Sequence, residues 1–221
     1  MSIDPSAAPL SDRVYQAVWG HAFALLYDRA FARAEESGLR ALRSELLAQS
    51  AGVTVELGAG TGLNVSHYPA TLTRLILTEP NRYMVKQLRA KAAISPMFPE
   101  VSDASAGALP FENGTVDTVI STLVLCTVSN PAAVLREAAR VLRPGGHFLF
   151  IEHVRATSAR LASWQDRLRL PWSWCAGGCQ CNRDTLSAIS QSPLNLEAVR
   201  SDRLRWMGPL LRPLVVGVAT R

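Results

Sequence analysis

Apolar and polar positions follow one another along the chain in two periods. Positions 14–31 and 38–49 repeat their apolar residues at helical spacing, and Gly52 sits where a glycine commonly closes a helix. The run 53–57, VTVEL, is short and apolar, which predicts a buried parallel strand. A helix is expected over 63–68 and a second strand over 72–78, closed by Glu79-Pro80. Asn81 caps the next helix, 82–93. Strands follow over 98–102 and 116–121, the latter within VDTVIST. Pro131 suits the first turn of a helix reaching Leu142, and Arg143-Pro144-Gly145-Gly146 turns the chain into a fifth strand, 147–153. Positions 161–168 are helical, a loop rich in Pro, Trp, Gly and Cys comes next, and a helix over 184–190 precedes closing strands at 194–204 and 214–220.

Strands alternating with helices at this spacing predict an α/β fold: a Rossmann-like, doubly wound, mostly parallel seven-stranded sheet with helices on both faces. Residues 1–50 form a short N-terminal helical cap of the same domain, and 51–221 form its body. Ligands of such sheets bind beyond the carboxyl ends of the strands. Gly58, Glu79, Ser121 and His153 all fall at that edge.

Composition narrows the class. With 221 residues, 48% of them hydrophobic and 19% charged, the chain suits one globular domain and not a disordered one. The net charge of +5 comes from scattered basic residues, nearly all Arg, with no basic run. That distribution argues against a nucleic-acid partner. Positions 1–11 lack the basic start and apolar core of a signal peptide, so a cytoplasmic protein is expected. The apolar stretch 14–31 is broken by Gln16, His21, Asp28 and Arg29, which predicts an amphipathic helix packed on the domain and no stable membrane anchor; peripheral membrane contact is the lesser alternative. The oligomeric state is left open between monomer and homodimer. Four cysteines without a secretion signal are expected to be reduced. Three of them lie in CAGGCQC, Cys175, Cys179 and Cys181, a spacing with no neighbouring histidine, so no metal is expected.

The candidate chemistry starts at VTVELGAGTGLN, where Gly58, Gly60 and Gly62 follow the first strand. Glycines at alternate positions let a backbone turn sharply against a ligand. No Lys-Ser/Thr follows, which excludes a phosphate loop, and G-x-G-x-G departs from the G-x-G-x-x-G of dinucleotide sites. Glu56, just before the loop, would repel phosphate and suit a cationic ligand, unless it is paired structurally with an arginine. Glu79 ends the second strand about 20 residues further on, where an acid can accept both ribose hydroxyls; the alternative is that it merely prefaces the Asn81 helix.

VELGAGTG, the acid of LTEPN, ALPFENGTVDTVIS and REAARVLRPGGHFLFIEH together resemble the class I methyltransferases that use S-adenosylmethionine, over 54–153. The resemblance implies that Glu56, Gly58, Ala59, Gly60 and Gly62 surround the methionine part of the cofactor and that Glu79 with Pro80 holds the ribose. It also implies backbone contacts near Thr122 and Leu123. Many relatives carry Asp-Ala-Glu before the stretch matching Ala108-Leu109-Pro110-Phe111; here Ser105-Ala106-Gly107 stands there, and Asp103-Ala104 lies two residues earlier. Asp103, Ser105 and Ala106 are therefore the candidates for the adenine side.

TLVLCTV, LRPGGHFLFIEHV, Trp164-Gln165, Pro171-Trp172 and Gly178-Cys179 with Arg183 and Thr185 are similar to the methyltransferase-like thiol S-methyltransferases of small molecules. Those relatives carry a hydrophobic N-terminal anchor that this chain is expected to lack. A thiol acceptor reacts as its thiolate. His153, at the carboxyl end of the fifth strand, is expected to take its proton or stabilise it, against the alternative of a histidine merely satisfied at the sheet edge. Trp19, Tyr27, Trp172 and Trp174 are candidate apolar walls for the acceptor, or core aromatics. Cys126 reads as a small buried hydrophobe beside that pocket. Cys179 lines it, or pairs with Cys175 or Cys181 on oxidation, and Arg183 pairs Asp184 or Glu152, or meets an acidic acceptor. The preferred reading is methyl transfer to a small thiol. O- or N-methylation of a small metabolite or lipid head group, a non-catalytic cofactor-binding regulator and an NAD-dependent oxidoreductase are its rivals.

Overall fold

The computed structural model describes residues 20–221. Helix α1 (His21–Ala34) passes through a wide turn (Glu35–Leu39) into α2 (Arg40–Leu47). The sheet then begins with β1 (Val53–Leu57) and β2 (Arg74–Thr78), followed by α3 (Arg82–Ala93), β3 (Glu100–Ser102) and β4 (Val116–Thr122). Helix α4 (Pro131–Val141) leads into β5 (Leu142–His153) and the long α5 (Ala159–Cys175). Helix α6 (Thr185–Ser190), β6 (Asn195–Arg203) and β7 (Pro213–Thr220) complete the chain.

The seven strands form one sheet in the order β3-β2-β1-β4-β5-β7-β6. The first five are parallel, and β7 runs antiparallel between β5 and β6. The chain winds outward from β1 to β3 and then restarts on the other side at β4. The carboxyl ends of β1 and β4 consequently frame the crevice where a ligand binds in folds of this kind.

Both faces of the sheet are buried, which explains the near-continuous apolar runs of the central strands. Alternate residues serve opposite layers. Phe148 and Phe150 stack on one face with ring centroids 5.8 Å apart, packed with Val55, Val119 and Leu135. Leu149 and Ile151 face the other layer with Leu77, Ile120, Leu46 and Leu47.

The expected elements are present with instructive differences. The helix expected over 63–68 is reduced to a single 3-10 turn, Val65–His67. Asn64 is tied by its side chain to Glu56, Arg43 and Thr122, and Tyr68, preceding Pro69, is extended as a residue before proline tends to be. The third strand starts at Glu100 and not at 98, because Phe98 is exposed and left-handed, with φ of 44°. Helix α5 runs seven residues beyond its expected end and straight through Pro171. Proline removes one intrahelical donor, yet the last turn is closed by Ala176 N–H donating to Trp172 O and Gly178 N–H to Ser173 O, both at 2.9 Å.

The cap is fastened over the carboxyl edge by polar contacts. Gln87 Nε2 donates to Ala24 O at 2.7 Å, and Asp28 receives Lys91 Nζ at 2.8 Å and Thr61 Oγ1 at 2.5 Å. Among the described residues, no helix is long and apolar enough to cross a membrane.

Candidate active site

The crevice at the carboxyl edge is a cavity of about 550 Å³. At one end stands the glycine turn. Gly58 and Gly60 have φ of 54° and 59°, the left-handed region that side chains rarely adopt. A Cβ on Gly60 would meet nothing closer than Met84 Sδ at 3.8 Å, so this position opens on the cavity.

Glu79 enters the same end from β2. Its two oxygens accept Gly60 N–H and Asn81 N–H, each at 2.8 Å, which leaves further lone pairs for a ligand's hydroxyls. Burial raises its carboxyl above the usual range, and the two backbone N–H groups pull it partly back. A bare turn beside a fixed acid fits the methionine and ribose parts of S-adenosylmethionine. Pro80, Ser105, Ala106, Thr122 and Leu123 complete this end.

Several expected cofactor contacts lie elsewhere. Glu56 is not in the cavity wall. Its carboxylate accepts Asn64 Nδ2 at 2.7 Å and Tyr68 Oη at 2.6 Å, and burial raises its pKa. Asn64 in turn accepts from Arg43, which pairs with buried Glu35. This buried polar chain supports the glycine turn from below. Gly62 and Ala59 are also outside the wall; a Cβ on Gly62 would strike Leu88 Cδ1 at 2.9 Å, so that glycine serves packing against α3. Asp103 is not in the cavity wall either, whereas Ser105 and Ala106 are.

The segment after β4 is held by a residue that sequence reasoning passed over as a site component. Glu152 is fully buried, and its Oε1 accepts Ser121 Oγ at 2.7 Å and the N–H groups of Val124 and Leu125 at 3.1 Å. Burial pushes its carboxyl up to about 7. The signal was the acid in FIEH, at the carboxyl end of a buried strand. Arg183, expected to meet Asp184, Glu152 or an acceptor, instead clamps the same segment. It donates to Leu125 O at 2.5 Å and Val128 O at 2.7 Å and lies outside the cavity wall.

The other end of the cavity is apolar and aromatic. Phe23, Tyr27 and Phe31 follow one another along α1, with ring centroids 5.5 Å and 4.7 Å apart. Trp172 faces them from α5. Its indole N–H is buried and directed at Cys179. Trp174 is 65% exposed and stands outside the wall, and Trp19 lies outside the described residues.

Cys126, His153 and Cys179 converge between these ends. His153 Nε2 lies 3.0 Å from Leu210 O, and a carbonyl only accepts, so Nε2 carries the hydrogen. The other ring nitrogen, Nδ1, faces Cys179 Sγ at 3.9 Å. Cys179 Sγ lies 3.7 Å from Cys126 Sγ. That contact, and after it His153, hold Cys179 below the ordinary thiol range, while the same contact and burial raise Cys126 well above it. None of the four cysteines forms a disulfide. The sulfur beside Cys179 belongs to Cys126 and not to Cys175 or Cys181; Cys181 turns its thiol to Gln165 O at 3.5 Å.

Comparison with known proteins agrees with this geometry. The family described as "Methyltransferase domain" matches residues 55–150. Human thiol S-methyltransferase TMT1A is 35% identical over 176 residues, covering 76% of this chain and 70% of the relative. Human thiol S-methyltransferase TMT1B is 30% identical over 195 residues, covering 81% and 78%. A solved S-adenosylmethionine-dependent methyltransferase of Thermotoga maritima, described as a possible histamine N-methyltransferase, shares the fold with a TM-score of 0.66 at 20% identity, covering 91% of this chain and 98% of the other. The chain belongs to the class I S-adenosylmethionine-dependent methyltransferases, in the family that holds these thiol S-methyltransferases.

Proposed function

We propose that the acceptor is a small apolar thiol, received at the aromatic end of the cavity and methylated on sulfur. The observation that carries this reading is the meeting of Cys126, His153 and Cys179 in the wall shared by the two ends. A thiol is a weak nucleophile until it loses its proton, and this is the polar group cluster an entering S–H would meet. Once bound, the cofactor supplies a methyl group on an already activated, positively charged sulfur.

The chain's own residues then mainly align and exclude. Glu79 and the glycine turn fix the donor, and the aromatic row of α1 with Trp172 walls off water. The described part of the expected cap, residues 20–50, acts as part of the same domain as 51–221, because α1 supplies one wall of the acceptor space, and residues 1–19 lie outside the described residues. The cluster and the glycine turn line one cavity, so acceptor and donor can meet within it.

The test is a panel of alkyl thiols, hydrogen sulfide, phenols and amines, assayed with a cofactor labelled in its methyl group. Thiols are expected to take the label at least about tenfold faster than phenols or amines of similar size, a difference of about 1.4 kcal/mol in the barrier. Preference for an amine or phenol would refute the thiol reading and leave the fold and cofactor unchanged.

A further inference from the structure

We propose that Cys126, His153 and Cys179 hold a zinc ion whose fourth coordination position receives the acceptor sulfur. This inference rests on the thiol reading above and names the agent that deprotonates the acceptor.

Residue type comes first. Two thiols and an imidazole are a soft ligand set that selects zinc over calcium or magnesium. Their ligand atoms, Sγ, Nδ1 and Sγ, all lie within 4.8 Å of one another. A tetrahedral zinc with its usual bond lengths requires about 3.8 Å between two sulfurs and about 3.6 Å between sulfur and nitrogen. The sulfurs here are 3.7 Å apart, and Nδ1 is 3.9 Å from Cys179 Sγ. Two of the three edges therefore need adjustments of only a few tenths of an ångström.

The surroundings are those of a metal-bound imidazole. Such a ring usually donates its other N–H to a carboxylate, a backbone carbonyl or water, which fixes its orientation. His153 Nε2 donates to Leu210 O at 3.0 Å, and Gln165 Nε2 donates to the same carbonyl at 2.9 Å. The two cysteine loops are locked together by Gln180 N–H donating to Cys126 O at 2.8 Å. The buried indole N–H of Trp172 lies in the same wall and is directed at Cys179, a donor suited to a charged metal-bound sulfur.

Three protein ligands and an open position are the pattern of a catalytic zinc site, whereas structural sites are closed by four. The open side belongs to the cavity that also contains Gly60 and Glu79. In the proposed step the acceptor's S–H bond breaks, its sulfur occupies the fourth position with the electron pair, and its proton leaves to water. No oxidant or reductant is required. The expectation of no metal followed from the lack of a histidine beside CAGGCQC, while the spatial neighbours of Cys179 are 53 and 26 positions away in the chain.

The test uses the full chain, purified without chelator and reduced with a phosphine. Zinc content is measured directly, affinity by competition with a chromophoric chelator, and ligand identity by cobalt substitution. One zinc per chain is expected, with thiolate-to-cobalt absorption that changes when ethanethiol is added. Cys126→Ser and Cys179→Ser are each expected to weaken zinc binding roughly 100-fold. Melting temperature and S-adenosylhomocysteine affinity are measured on the same variants to establish that they fold. Failure of the reduced protein to take up zinc, or uptake undiminished in both folded variants, overturns the proposal. Chelated protein that methylates thiols as fast as the zinc-loaded form overturns it too, with the thiol reading intact. Zinc held by these ligands with a cobalt spectrum that responds to ethanethiol upholds the site even if the label goes only to amines, in which case the thiol reading is what fails.

Discussion

The two ends of the cavity are made of different material. The donor end is mostly main chain: the turn after β1, the first residues after β2 and the segment after β4, each fixed by strand pairing and by backbone hydrogen bonds to Glu79 or Glu152. The acceptor end is side chains, drawn from α1, from the loop after β4, from the end of β5 and from the far end of α5. A site made of backbone is set once the sheet forms, and single substitutions beside it shift affinity by graded amounts. One made of converging side chains can lose its chemistry with one residue and can change specificity without disturbing the sheet.

The sharpest division should appear at His153. His153→Ala removes the one imidazole in the cluster, and turnover with a thiol acceptor is expected to fall about 100-fold or more. Affinity for S-adenosylhomocysteine, measured by calorimetry, should stay as in the parent. Parallel loss of both would mean that the two ends are not independent and would break the comparison.

Glu79→Ala is the converse experiment. The ribose hydroxyls lose a charged acceptor and Gly60 N–H loses its partner, so cofactor affinity should weaken by about 1 to 3 kcal/mol. The ranking of thiol acceptors should not change. A reordered acceptor panel would show that the carboxylate shapes the other end as well.

The same residue gives a pH signature. Burial raises the Glu79 carboxyl above its ordinary range in the free protein. A ligand that donates hydroxyls to the carboxylate binds the deprotonated form, so affinity is full above the raised pKa. It should decline as pH falls through that value, up to about tenfold per pH unit below it. Glu79→Gln should bind weakly but with no such slope. A parent protein whose affinity stays as flat as that of Glu79→Gln down to the lowest pH at which it remains folded would remove the carboxylate from cofactor binding.

How much of each end could be read from the chain follows from the same contrast. The donor end is local: Gly58, Gly60 and Glu79 belong to two short strand-turn units, so their spacing carries the geometry, and they were legible. Even there the spacing did not report that Glu56 and Gly62 lie outside the cavity wall, since a carboxylate one residue before a turn can face inward to Asn64 and Tyr68 as easily as toward a ligand. The acceptor end is non-local. Tyr27, Cys126, His153, Trp172 and Cys179 were each named singly, but nothing in their spacing reported that Cys126, His153 and Cys179 share one point in space. Arg183 shows the same limit, because its partners are backbone carbonyls, which no side-chain pattern announces. The sheet itself was legible because its central strands, buried on both faces, are short near-continuous apolar runs between turn signals, whereas the continuation of α5 through Pro171 was not, since a single proline is a local stop signal that packing overrode.

The finest discrimination concerns two tryptophans of that continuation. Trp172 and Trp174 are two positions apart on α5, a spacing that turns them to different sides of a helix. Trp172 lines the cavity, and Trp174 is 65% exposed. Trp174→Ala should leave turnover and both affinities as they are and move stability by no more than about 0.5 kcal/mol, the usual range for a surface substitution. Trp172→Phe keeps an aromatic wall but removes the indole N–H and part of the ring area, so it should raise the acceptor KM a few-fold with cofactor affinity untouched. The informative readout is this split between acceptor KM and cofactor affinity. If Trp174→Ala produced it and Trp172→Phe did not, the face of α5 assigned to the acceptor would be the wrong one, and the side-chain-built end of the cavity would have to be redrawn around the other side of the helix.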